Sequence, residues 1–115
     1  MEIREDRQAG VLFLAPFGRV DSNTSGELEK ALLLRVDAGE RRLVVDLVAI
    51  EYISSAGLRV LLRLAKRLHG LGGHLVLCTL ADSVREVFEL AGLVAIFEIE
   101  PSREEAMARL GGAQG

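Results

Sequence analysis

The sequence predicts one α/β domain built on a small, mixed, mostly parallel sheet with about four helices, in the order ββαβαβαβα. Two observations predict it. Apolar runs of strand length alternate along the chain with segments whose apolar residues recur at helical spacing. Strands that alternate with helices pair in parallel through right-handed crossovers. A length of 115 residues, half of them hydrophobic, suits a single domain with a real core. The domain is expected over residues 1–110, with a disordered tail over 111–115.

Gly10 to Phe17 is an apolar run of β character ended by Gly18. Glu2 to Arg7 can pair with it through a turn at Gln8-Ala9-Gly10. Thr24-Ser25-Gly26-Glu27 has the form of a capping box and predicts a helix to about Ala38. Leu28, Ala31, Leu32 and Val36 form its apolar stripe, and Gly39 suits the position after its end. Arg42 to Leu47 is apolar on both faces, which predicts a central strand.

A second helix is predicted from Ser55 to His69. Leu58, Leu61, Leu62, Ala65 and Leu68 share one face; Arg59, Arg63, Lys66 and Arg67 share the other. The basic stripe reads first as a solvated face, and second as a contact for a partner or an anionic surface. Gly70, Gly72 and Gly73 end this helix and lead to a strand, His74 to Leu80. Ser83-Val84-Arg85-Glu86 is a further capping box, with Val84, Val87, Phe88 and Ala91 expected inward and Gly92 as the stop. Leu93 to Ile99 is predicted as the last strand. Pro101-Ser102, with Glu105 three residues after the serine, opens a short helix to Leu110.

Composition excludes several classes of function. The net charge of −3 argues against a direct nucleic-acid partner. The single cysteine, Cys78, cannot form an internal disulfide and sits in an apolar run, so a buried core thiol is expected. The charged N-terminus holds no signal-peptide core, and no apolar stretch reaches the ~20 residues of a membrane span. A soluble cytoplasmic protein is expected.

The segment from Asp46 to Leu62 carries the functional signal. An apolar strand leads through a short loop into Ser54-Ser55-Ala56-Gly57 and then directly into the second helix. A serine hydroxyl at the positive end of a helix is well placed to carry an added phosphate. Serine is also among the favoured helix caps, so local sequence alone favours a cap. Ser54 can take that role and leave Ser55 free. Catalysis by the serine would need a base. The two histidines, His69 and His74, fall roughly 20 Å from Ser55 at ~1.5 Å of helix rise per residue. Asp21, Asp46 and Glu51 could gather near the serine, but acids alone do not make a Ser-His-Asp arrangement. No catalytic residue, metal site or cofactor is expected.

The whole chain resembles the STAS domain, and within it the single-domain bacterial anti-sigma factor antagonists. The resemblance rests on Asp46-Leu47, on Ile53-Ser54-Ser55-Ala56-Gly57-Leu58, on Gly18-Arg19-Val20-Asp21, on Gly72-Gly73-His74-Leu75-Val76-Leu77 and on Phe88-Glu89-Leu90-Ala91-Gly92-Leu93. It implies that Ser55 is the phosphorylated serine. Ser54 stands where the family often has Asp. Gly57 matches a glycine that permits close backbone approach, and Asp21 an acidic position in contact with the partner; Arg19 stands where some relatives carry an acid. The implied partner surface is Asp21, Ser54, Ser55, Gly57 and Arg59. The implied mechanism is a switch. The unphosphorylated protein binds an anti-sigma factor that is also an ATP-dependent serine kinase, which frees the sigma factor; phosphorylation breaks the complex and a phosphatase resets it. The competing reading is a non-switching STAS domain, either an accessory subunit of a lipid or anion transport system or a signalling scaffold.

Overall fold

The computed structural model describes residues 1–112. Its elements are β1 (Ile3–Gln8), β2 (Val11–Pro16), β3 (Gly18–Val20), α1 (Ser25–Asp37), β4 (Arg42–Asp46), β5 (Ile50–Ile53), α2 (Ser55–Gly70), β6 (His74–Cys78), α3 (Asp82–Leu90), β7 (Glu98–Glu100) and α4 (Arg103–Gly112). The predicted α/β class, the four helices and the mixed sheet are all present. Two short strands, β3 and β5, are additions to the expected order.

The main sheet runs β1-β2-β4-β6-β7. Only β1 is antiparallel to its neighbour; β2, β4, β6 and β7 are parallel. The β1–β2 hairpin closes through Ala9 and Gly10, both at positive φ, with Gln8 opposite Val11. A two-residue turn of this hand matches the right-handed twist of the strands it joins. β4 is central, as its two apolar faces predict: Leu43, Val44 and Val45 are fully buried.

Alternation along each strand divides the core between the two faces of the sheet. On one face Leu12, Leu14, Leu43, Val45, Leu75 and Leu77 pack with α1, α2 and α3 through Leu28, Leu32, Leu61, Leu64, Val84 and Phe88. On the other face Val11, Phe13, Val44, Val76 and Cys78 pack against Ala106 and Leu110 of α4. Asp46 is the buried acid at the end of β4, 5% exposed. Arg103 at the start of α4 donates to it from Nε at 2.7 Å and lies over the Phe13 ring, while the Val48 N–H supplies a second hydrogen bond at 3.1 Å. A buried carboxylate needs such partners, since its desolvation costs several kcal/mol on the order-of-magnitude scale for ions. Asp46 therefore locks α4 to the sheet, and its hydrogen bonds go to Arg103 and Val48 rather than to the serine turn.

Several local expectations fail for identifiable reasons. Neither of the first two capping boxes forms. The Thr24 hydroxyl accepts from the Asp21 N–H and donates to the Arg19 carbonyl, and no side chain caps α1 through it. α3 begins at Asp82, one residue ahead of its predicted serine cap, with Ala81 in the cap position. The third box is half made: the Glu105 N–H donates to Ser102 Oγ at 3.2 Å. Ala91 lies exposed beyond the end of α3. Of the predicted last strand, Leu93 to Ile99, only Glu98 and Ile99 pair with β6, joined by Glu100, because Leu93, Ile96 and Phe97 donate their N–H groups to Phe88 and Leu93 in turns. α4 extends through Gly112, two residues into the expected tail; residues 113–115 lie outside the described residues.

Cys78 is fully buried, and that burial pushes its thiol pKa up to about 11. An acid whose folded value exceeds its unfolded value of ~8.5 favours the fold while the thiol is neutral. That contribution is intact below the unfolded value and is lost as pH climbs toward 11. At pH 8.5 a thiol reagent should modify the native protein on the order of a hundredfold more slowly than the urea-unfolded chain, from the thiolate fraction alone. Comparable rates in a chromogenic thiol assay would contradict this burial.

Candidate phosphoacceptor site

The site is assembled by the small second sheet. β3 and β5 run parallel, with Val20 opposite Ile53 and a bulge between Gly18 and Arg19. The Gly18 N–H donates to the Ala49 carbonyl at 3.0 Å, and the Ser54 N–H donates to the Val20 carbonyl at 2.8 Å. Each strand ends at a turn into a helix. Parallel register therefore brings the turn before α1, which holds Asp21, beside the turn before α2, which holds Ser54 and Ser55.

Gly57 sets how close α2 can come. It is buried, and a Cβ built on it would stand 2.6 Å from Val20 Cγ1 and 2.8 Å from Ile53 Cγ1. Both neighbours are β-branched, fully buried and stiff about χ1, so neither can turn aside. The helix start rests directly on the ends of β3 and β5 because position 57 has no side chain.

The two serines divide their tasks. Ser54 is the N-cap of α2, in extended backbone, and its Oγ accepts from the Gly57 N–H at 3.3 Å. Ser55 is the first residue of the helix and is exposed. Its hydroxyl thus stands in solvent at a helix N-terminus, where unpaired N–H groups and the dipole favour negative charge. Arg59, one turn further along, is also exposed.

Asp21 is half-buried and organises its own turn. Its Oδ1 accepts from the N–H groups of Asn23 at 2.9 Å and Thr24 at 3.1 Å, and from the Thr24 hydroxyl at 3.3 Å. These bonds, the Asn23 N–H first, hold its carboxyl below the usual range, and nearby Arg19 adds to the effect. A depressed carboxyl stabilises the fold above its unfolded value and ceases to do so as pH falls through the lower folded value. Asp21 thus supplies the turn-ordering acceptor that the sequence pattern assigns to Thr24.

Sequence reasoning missed Tyr52 and the stack it makes. Arg19 lies 4.4 Å from the Tyr52 ring centroid, on adjacent strands of the small sheet. Tyr52 is 39% exposed and Val48, in the preceding loop, 60%. Tyr52 and Val48 are thus apolar side chains left in water, Tyr52 on β5 and Val48 in the loop before it. Ile50, Glu51, Tyr52 and Ile53 are buried, exposed, exposed and buried in turn, so the four residues carry no alternating signal.

The basic face of α2 is largely committed to α1. Arg63 forms a two-pronged pair with Glu29, at 2.6 and 3.0 Å, and Arg67 reaches Asp37 at 2.7 Å. His69 and His74 line a groove of about 310 Å³ at the far end of α2, with Leu62, Lys66, Ile96 and Phe97. That separation, roughly 20 Å at the rise of an α-helix, removes both from the serine.

A family model described as the STAS domain matches residues 2–106. BtrV of Bordetella bronchiseptica, named as a candidate anti-sigma factor antagonist, is 48% identical over 108 residues, covering 94% of this chain and 93% of that protein. The anti-sigma-B factor antagonist of Listeria monocytogenes is 33% identical over 101 residues, 87% of each chain. The crystal structure of an anti-sigma factor antagonist from Mycobacterium paratuberculosis superposes with a TM-score of 0.86 at 26% identity, covering 94% of this chain and 92% of that one.

Gly57→Ala should destabilise the protein by about 1–2 kcal/mol. Overpacking of a tight site costs about 1–3 kcal/mol, and the better helix propensity of alanine returns up to about 1. Urea unfolding would measure it; an unchanged midpoint would mean that the helix start is not held by this contact.

Proposed function

The chain belongs to the STAS domain family, and from that premise we propose that it is an anti-sigma factor antagonist switched by phosphorylation of Ser55. In its unmodified form it binds an anti-sigma factor that doubles as an ATP-dependent serine kinase, and so releases a sigma factor. A serine phosphatase returns the modified form to the active pool. The observation that carries this reading is the division of labour at the start of α2. Ser54 is occupied as the cap, whereas Ser55 is exposed and, among the described residues, both histidines lie at the far end of α2. Such a hydroxyl is a substrate, not a nucleophile prepared for catalysis. The names of relatives that match nearly end to end favour this role over that of a transport accessory subunit.

The partner surface comprises Asp21, Ser54, Ser55 and Arg59, seated by Gly57, with the stacked Arg19 and Tyr52 extending it over the small sheet. A standard interface buries ~800 Å² on each side, so the neighbouring loops contribute too. Phosphate brings roughly −1.5 to −2 charges and three acceptor oxygens to the middle of this surface. In the free protein it meets helix N–H groups and water. In the complex it must be desolvated, and a poorly paired charge at an interface costs about 2–5 kcal/mol, which is thirtyfold or more in affinity. The modified protein keeps its fold and loses its partner.

Incubation with the serine kinase of the native host and ATP should place one phosphate on Ser55, located by peptide mass spectrometry. Undiminished modification of Ser55→Ala would overturn the assignment. Asp21 needs a conservative test, because Asp21→Ala also removes the turn acceptor, at about 1 kcal/mol for a lost cap. Asp21→Asn retains the acceptor and deletes the charge. It should fold normally and bind the kinase several-fold more weakly in a calorimetric titration; unchanged affinity would remove Asp21 from the surface.

A further inference from the structure

We infer that Arg59 is a cation held ready, within the same helix, for a phosphate on Ser55, so that modification adds an anion to the partner surface and withdraws a cation from it. This rests on Ser55 being the phosphoacceptor. Ser55 and Arg59 are both exposed and stand at i and i+4 on α2. Residues at that spacing lie on one helix face with Cβ atoms ~5–6 Å apart. Side chains on a helix lean toward its N-terminus, so a long residue at i+4 covers the turn that residue i begins. An anion preceding a cation by four residues is also the favourable order, since each then complements the helix dipole.

The charges around the pair single out Arg59. Descending α2, Arg63 is taken by Glu29 and Arg67 by Asp37, both from α1. Among the described residues no carboxylate lies within ion-pair distance of Arg59. The first turn of α2 holds no acidic residue either. At the corresponding place on α1 stand Ser25 and Gly26, which offer no charge, and the carboxylate of the neighbouring turn, Asp21, accepts from Asn23 and Thr24 and makes no ion pair with Arg59. Unmodified, the helix therefore begins with an uncompensated guanidinium beside a neutral hydroxyl, fit to meet an acidic group on the partner. Modified, the same guanidinium has a dianion one turn away in its own chain. A charge-assisted contact of this kind is local, forms without partner binding, and competes directly with the partner's acid for Arg59.

The test reads the phosphate itself. Phosphoserine is installed at position 55 during translation, so no kinase is needed, in the otherwise unaltered chain and in Arg59→Gln. The second phosphate ionisation is then followed by phosphorus NMR from pH 4 to 8. The helix N–H groups are common to both proteins, so their difference isolates Arg59. The phosphate pKa should lie about 0.3–0.7 unit lower in the protein that retains Arg59, with Arg59→Lys between the two. The gap should shrink as salt is raised, as it must for an exposed pair. Coincident titrations in folded proteins, checked by circular dichroism, would overturn the inference even where the kinase does modify Ser55. Failure of the kinase to modify Ser55 would instead strike the proposed function and leave the titration result standing.

Discussion

The contact between Gly57 and the ends of β3 and β5 is the constraint from which the site follows. Because position 57 lacks a Cβ, the first turn of α2 sits directly on Val20 and Ile53. That seat fixes where the helix begins, and hence which serine caps it and which is left in solvent. It also fixes the distance between the Asp21 turn and the serine turn, since Val20 carries the carbonyl that receives the Ser54 N–H. A larger residue would have to lift the helix from the small sheet, and the cap, the exposed hydroxyl and the neighbouring acid would separate together.

The chemistry of the site is electrostatic throughout. An exposed hydroxyl stands at a helix N-terminus, with an exposed guanidinium one turn along the same helix and an ordered carboxylate in the neighbouring turn. The pair of buried Asp46 and partly exposed Arg103 belongs to the opposite task. It fastens α4 over the far face of the sheet, where the core is smaller and one helix must cover it alone. One charged pair secures the scaffold, and the unpaired charges elsewhere remain available for recognition.

The elements legible in the sequence were those with a strong period or with burial on both faces. α1 and α2 announced themselves by their stripes, and β4 by its unbroken apolar run. β3 and β5 have three and four residues, too few for a periodic signal, and their pairing depends on a long-range register that local sequence does not encode. Leu93 to Ile99 has strand-like composition, yet tertiary context spends most of its backbone on the end of α3. The cap at Ser54 was readable because it directly precedes the periodic run of α2, and the exposure of Ser55 follows from it. The part of Asp21 in its own turn was not, because Thr24 satisfies the same capping pattern and only geometry decides between them. Val60 and Leu64, buried beside the predicted stripe of α2, show that the helix is covered on more than one side, by β5 and β6 as well as α1.

The order of the main sheet in space follows the order of its strands along the chain, with β3 and β5 set aside. Each new strand is added to the edge left by the one before, and no strand must insert between two already paired. A chain emerging from the ribosome can therefore build this sheet in the direction of synthesis. The β1–β2 hairpin needs only local contacts and can form first; β4 and β6 then arrive with the helices that cover them. The growing edge at each stage is apolar on both faces and open to pairing with a neighbouring chain. It closes when β7, short and carrying Glu98 and Glu100, takes the last place. α4 follows at once, and Arg109 bonds back to Glu100. Among the described elements β7 and α4 come last along the chain, and they are the ones that seal the edge and cover the second face, so a domain cut short before them would expose its stickiest surfaces.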